Sequence, residues 1–260
     1  MEKNLYFRSV LLRKNYIKEA IFDFFLGIAS FPRLVIEVFI RKNMGRRYFK
    51  RSAATLVAFF MLLLPFIIQL ISISFSRYGY GRPDGIWDTI KSNWLWYLFV
   101  VAFCIFSYLR YKDIKHIKDK FDMKHFSLSS GDILPFFLSL KYKGKQFSFR
   151  QIEIYIEPLS AFLIGLLCII IGQNLLGWFL IVCSISYSIG YAASYAKGDD
   201  FILDKIDEII CNEQLSDAFV SDEPTTDGFR FYGDKPKSKE WRQKVYEKFY
   251  EDDDNISDAE

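Results

Sequence analysis

The stretch PLSAFLIGLLCIIIGQNLLGWFLIVCSISYSIGYAASYA, residues 158–196, decides the fold. It runs 39 residues without Asp, Glu, Lys or Arg. At 1.5 Å of rise per residue, one helix of that length would measure about 58 Å. The apolar layer of a bilayer is about 30 Å thick and is crossed by roughly 20 residues. The stretch is therefore too long for one crossing and long enough for two short ones. Gly172-Gln173-Asn174, near its middle, is a turn signal. The reading is a tight hairpin of two membrane helices, at about 158–173 and 175–196.

Two more charge-free stretches lie upstream. Ser52–Ser76 reads SAATLVAFFMLLLPFIIQLISISFS, and Ser92–Leu109 carries Trp94, Trp96 and Tyr97 at one end and Tyr108 at the other. Such aromatics favour the headgroup level at both membrane faces. They predict helices at about 53–75 and 92–109, the first kinked at Pro65, with Gln69 placed to bond a neighbouring span. The expected fold class is an all-α integral membrane protein with four transmembrane helices. The mean hydropathy of +0.09 averages these spans with a strongly charged remainder, for charged residues still make up 25 % of the 260. A formal charge of +3 and four cysteines exclude collagen-like, disulfide-dense and wholly disordered classes.

Basic residues orient the spans. Segment 1–51 has twelve Lys or Arg against four acids, and loop 110–157 has ten, whereas loop 77–91 has three and the turn 172–177 none. Short loops rich in Lys and Arg stay in the cytoplasm. Both termini and loop 110–157 are expected inside, in a bacterial inner membrane. The first fifteen residues hold Glu2, Lys3, Arg8, Arg13 and Lys14, so no cleavable leader is expected and the first span serves as the targeting signal.

The expected divisions are 1–51, 52–109, 110–157, 158–196, 197–220 and 221–260. In the first, YIKEAIFDFFLGIA (16–29) makes an amphipathic helix lying at the inner leaflet. Pro32 opens a second short helix that ends near Gly45. Arg41, Lys42, Arg46, Arg47, Lys50 and Arg51 form a basic run before the first span, read as a positive-inside anchor at lipid headgroups. In the cytoplasmic loop, QIEIYIE (151–157) fits either a strand or the opening of the third helix. Gly198-Asp199-Asp200 supplies a break and a helix cap, followed by an amphipathic helix to Val220. The acidic tail 221–260 is expected to be mostly disordered. Within it KEWRQKVYEKFY (239–250) aligns Trp241, Val245 and Phe249, with Tyr246 beside them, as a docking motif for a partner.

In the fourth span small residues recur every fourth position: Ser184, Ser188 and Ala192 on one row, Ser186, Gly190 and Ser194 on the next. Small residues let helix backbones approach closely, so these six are expected to pack helices. Tyr187, Tyr191 and Tyr195 form the opposing ridge.

No catalytic, cofactor or metal site is expected. His116 and His125 stand in the Lys-rich loop without His-x-x-x-His spacing, and no Cys-x-x-Cys, phosphate loop or nucleophile elbow occurs. The spans carry no ionisable residue, where pumps and coupled transporters usually keep one. The expected function is a non-enzymatic multipass scaffold or accessory subunit of a membrane assembly, such as a secretion or conjugation machine. Its partners are the bilayer and other protein subunits or copies of itself, and no nucleic acid. The alternative is a small oligomeric channel or pore-forming effector lined by the serines of span four.

Overall fold

A computed structural model of the chain describes residues 3–12, 16–75, 86–115, 126–223, 225 and 228–251. The protein is mostly helical. Among the described residues, four helical stretches are long and apolar enough to cross a membrane: Arg51–Ile71, Trp94–Lys115, Phe149–Ile170 and Asn174–Ser221. These features are consistent with an all-α membrane protein. The chain divides into two compact units, residues 22–193 and residues 1–21 with 194–260.

The larger unit begins within α1 (Tyr16–Ile40). Pro32 lies inside this helix and does not open a second one. A proline in a helix interior costs about 3 kcal/mol. Burial compensates here, because Leu34, Val35, Ile36 and Val38 are all buried and Phe39 stacks on Phe99 at 5.2 Å. The second half of α1 is thus part of the core. The first half keeps Phe24, Phe25, Ile28 and Phe31 exposed.

After α1 the chain forms β2 (Arg41–Lys42), which pairs antiparallel with β3 (Asp132–Ile133). Beyond β2 the backbone stays against the same segment, with Gly45 N–H donating to Ser129 O and Arg47 N–H to Ser127 O. Glycine is required at 45, since a Cβ there would sit 2.3 Å from the Ser127 carbonyl oxygen.

Helix α2 (Arg51–Phe75) packs on α4 (Trp94–Lys115). Trp96 is fully buried and donates its indole N–H to the Met61 carbonyl at 2.8 Å. Pro65 lies inside α2 and cannot donate to that carbonyl, four residues earlier, so the indole supplies the missing donor. Gln69 accepts from Thr89 on the short α3 (Ile86–Ser92), at 3.0 Å.

The segment between α4 and α7 adds α5 (Pro135–Ser139) and a hairpin of β4 (Lys141–Tyr142) and β5 (Lys145–Gln146). Lys143 and Gly144 both take positive φ in its two-residue turn. Residues 151–157 are helical. The chain runs from α6 (Phe149–Gln151) through a π-helical turn (Ile152–Ile156) into α7 (Glu157–Ile170). A Ser148–Gln151 capping box starts this helix. Its end is a Schellman motif: Gly172, at φ 86°, donates to Ile169 O, and Gln173 donates to Cys168 O.

Helix α8 (Asn174–Ser216) is a single helix through Gly198-Asp199-Asp200, where the sequence suggested a break. A glycine inside a helix costs only about 1 kcal/mol, which the turns on either side offset. Helices α7 and α8 meet at glycines, with the Gly165 Cα hydrogen position facing Gly177 O.

In the smaller unit, β1 (Lys3–Asn4) pairs antiparallel with β6 (Tyr250–Glu251). A π-helical turn (Phe7–Leu11) follows β1, and another (Asp217–Ser221) ends α8. Tyr6, Phe7, Cys211 and Leu215 are buried together, with Phe229, Phe231, Tyr246 and Phe249 packed around them. Tail residues 228–251, including α9 (Lys239–Glu247), therefore have a defined packing partner in their own chain. Asp222 receives Lys235 and Arg242, which hold its carboxyl down at about 2. His116, His125 and residues 252–260 lie outside the described residues.

Candidate functional site

Arg33 and Glu37 lie one turn apart on one face of α1, and Arg41, four positions further on, follows directly as the first residue of β2. The face is buried: Glu37 and Arg41 have no exposed surface, and neither does Glu157 at the start of α7. Ionised groups out of water must find partners. Here they find one another.

Two linked groups result. In the first, Arg33 pairs with Glu37 at 3.0 Å. Glu37 also accepts from the Tyr48 hydroxyl at 2.7 Å and from the Tyr191 hydroxyl at 2.8 Å. Arg33 donates to Tyr48 and lies over the Tyr191 ring at 4.5 Å. In the second, Arg41 donates to Glu157 at 2.6 Å, to Glu153 at 3.0 Å and to Ser130 Oγ at 2.7 Å. Tyr187 donates to the same Glu157 oxygen. Arg41 lies over Tyr191 at 4.7 Å and so joins the two groups. One edge is unmatched: Arg41 Nε and Glu157 Oε1 are buried without a hydrogen-bond partner.

Burial pushes the Glu37 carboxyl above the usual carboxylate range, against the opposing pull of Arg33 and the Tyr48 hydroxyl. Burial and the Glu37 charge likewise raise the Tyr48 phenol. Burial works to lower Arg33, but Glu37 and Tyr48 outweigh it and the guanidinium is held firmly charged. The α1 terminus is closed by Arg110, whose Nε donates to the Val38 carbonyl at 3.1 Å. The arrangement ties α1, the following loop, α7 and α8 into one body through charged hydrogen bonds.

The residues singled out in the sequence fall in several places. Ser184 donates to Pro158 O at 2.6 Å and Ser188 to Ile154 O at 2.7 Å. The second bond has a clear cause. Pro158 has no N–H, so it cannot complete the helical bond to Ile154 O, and Ser188 supplies the missing donor. Gly190 lies beside Arg33, its Cβ position 3.5 Å from Arg33 Cδ. Ser186 and Ala192 are half-buried and Ser194 is exposed.

Among the basic run, Lys42, Arg46, Arg47, Lys50 and Arg51 are exposed, while Arg41 is enclosed. Arg41 therefore departs from the headgroup reading, because its guanidinium is committed to Glu153 and Glu157. In the tail, Trp241 is exposed, whereas Val245, Tyr246 and Phe249 are half-buried. Phe249 contacts Tyr6 at 5.5 Å and Phe219 at 5.2 Å.

No family profile, characterised protein or solved structure matches this chain. The geometry therefore speaks alone. Sequence reading does not single out Arg33, Glu37, Glu153 or Glu157. The available signal was the coincidence of two period-four rows, Arg33-Glu37-Arg41 in and just after an apolar helix and Tyr187-Tyr191 in a span.

Proposed function

We propose that the protein is a non-enzymatic, membrane-embedded scaffold or accessory subunit of a larger assembly. It sits in a bacterial inner membrane with both ends in the cytoplasm, and it presents the module built from those ends to a protein partner. The observation that carries this reading is the joining of the two chain ends. Tyr6 stacks on Phe231 at 4.9 Å, Phe249 packs against both Tyr6 and Phe219, and β1 pairs with β6. Trp241 projects from this module at 63 % exposure with Lys244 over its ring. An exposed tryptophan on a folded support is a common anchor for a partner. The buried ion cluster fits the same role, since closed charge pairs stiffen a body more readily than they do chemistry. The first half of α1, with Phe24, Phe25, Ile28 and Phe31 outward, is read as lying in the inner interface.

A channel lined by the serines of span four is disfavoured, because Ser184 and Ser188 spend their hydroxyls on carbonyls of the same chain.

Gentle purification from native membranes, followed by native mass spectrometry, tests the proposal. Foreign subunits should accompany the full chain. They should be lost both on deleting 1–12 and on deleting 228–260, because each end supports the other. A homogeneous homo-oligomer that conducts ions in liposomes would overturn it.

A further inference from the structure

Between Asp132 and Glu153 the chain holds no acid. The segment ILPFFLSLKYKGKQFSFRQI (133–152) instead carries Lys141, Lys143, Lys145 and Arg150 among Phe136, Phe137, Tyr142, Phe147 and Phe149. Its aromatics divide into two sets. Phe137 is buried and seats α5. Phe136, Tyr142 and Phe149 remain exposed, at 67 %, 63 % and 66 %. The three lysines are exposed alongside them. The segment is well held for a loop: the β4–β5 hairpin closes on a two-residue turn, Tyr142 stacks on Phe147 at 6.5 Å, and the Ser148 capping box fixes Phe149.

Two facts choose the occupant. Phe149 opens the helical stretch Phe149–Ile170, one of the four able to cross a membrane, so the patch stands where a span meets its aqueous border. Its charge is of one sign, which complements the anionic lipids of a cytoplasmic leaflet. Aromatic rings prefer the depth of the lipid carbonyls, while lysines reach up to the phosphates.

We propose that the 133–152 hairpin is an anionic-phospholipid binding surface. Phe136, Tyr142 and Phe149 insert at the interface, and Lys141, Lys143 and Lys145 engage lipid phosphates. Each lysine near an anionic surface contributes roughly fivefold to binding, so the three together give a preference on the order of a hundredfold.

The test uses the full chain in nanodiscs of phosphatidylcholine, with and without phosphatidylglycerol. A fluorophore is placed by Tyr142→Cys in a Cys104→Ser background, since Cys104 is exposed and the other three cysteines are buried. Brominated phosphatidylglycerol should quench the fluorophore more than brominated phosphatidylcholine does, and aqueous iodide should quench it less when phosphatidylglycerol is present. Native mass spectrometry should show retained phosphatidylglycerol falling at least tenfold in Lys141→Gln/Lys143→Gln/Lys145→Gln. A fluorophore open to iodide in both nanodiscs, with equal quenching by the two lipids, would overturn the proposal. So would an unchanged lipid preference in the triple variant. The two-lipid comparison keeps the lysines and decides the question even where the triple variant fails to fold.

Discussion

Replacing Arg41 by Met tests whether the buried ion cluster fastens α1 to α7 and α8. Arg41 donates to Glu157, Glu153 and Ser130, and both Arg41 and Glu157 have side chains with no exposed surface. Without Arg41, Glu157 keeps Tyr187 as a donor but holds a full charge out of water. Breaking one side of such a pair costs about 3–5 kcal/mol. Glu153 is 14 % exposed and reaches water, so it adds little to that figure. Arg41→Met should therefore lower the unfolding free energy by about 4 kcal/mol. Glu157→Leu should cost less, about 2–3 kcal/mol, because the guanidinium keeps Glu153 and Ser130. The double variant removes both charges and leaves chiefly the Tyr187 hydroxyl unmatched, worth about 1–3 kcal/mol. Its cost should fall well below the sum of the singles, giving a coupling of about 3 kcal/mol or more. Denaturant unfolding in detergent micelles, followed by tryptophan fluorescence, measures all three. Additive costs, or singles below about 1 kcal/mol, would refute the cluster as the fastening.

Three further variants have expected outcomes. Gly177→Ala would place a methyl 2.5 Å from Ile169 Cγ1 and 2.7 Å from Gly165 O, so it should cost about 1–3 kcal/mol in the same unfolding assay. Gly190→Ala, whose nearest neighbour is Arg33 Cδ at 3.5 Å, should cost less than about 1 kcal/mol, and equal effects at the two positions would contradict the packing described. Tyr6→Ala removes the stack on Phe231 and both hydrogen bonds to the Tyr232 backbone, a loss of about 3–5 kcal/mol from a small cluster. Limited trypsin digestion should then cut at Arg230 and Lys237 well before it attacks the rest of the chain, whereas an unchanged digestion pattern would show that the cluster does not hold the tail.

The four candidate spans were legible because the bilayer imposes a length, and stretches without charge announce it directly. Their ends were less so. Pro32 and Gly198 carry strong local signals for a break, yet each stands inside a helix. At Pro32, buried neighbours on α1 outweigh the lost hydrogen bond, and single-residue propensity cannot weigh a neighbour from another helix. The ion cluster was hidden for a related reason. Arg41 belongs by sequence to a basic run, while its partner Glu157 is 116 positions away. A tyrosine ridge opposite a row of serines reads as filler until its hydroxyls are seen to meet carboxylates. The hydroxyl of Ser188 is the clearest lesson. Its partner is a carbonyl left free by Pro158, so the meaning of one residue depends on a defect in another helix.

The pairing of residues 3–4 with 250–251 has a topological consequence. Strands bonded to one another lie on the same side of any membrane, so the pairing is compatible with an even number of crossings, as the four candidate helices would give. This same-side condition follows from hydrogen bonding alone and owes nothing to the distribution of lysine and arginine. It also sets an order of events, because β6 is the last part of the sheet to leave the ribosome. The strands can pair only once the whole of the chain between them has been made.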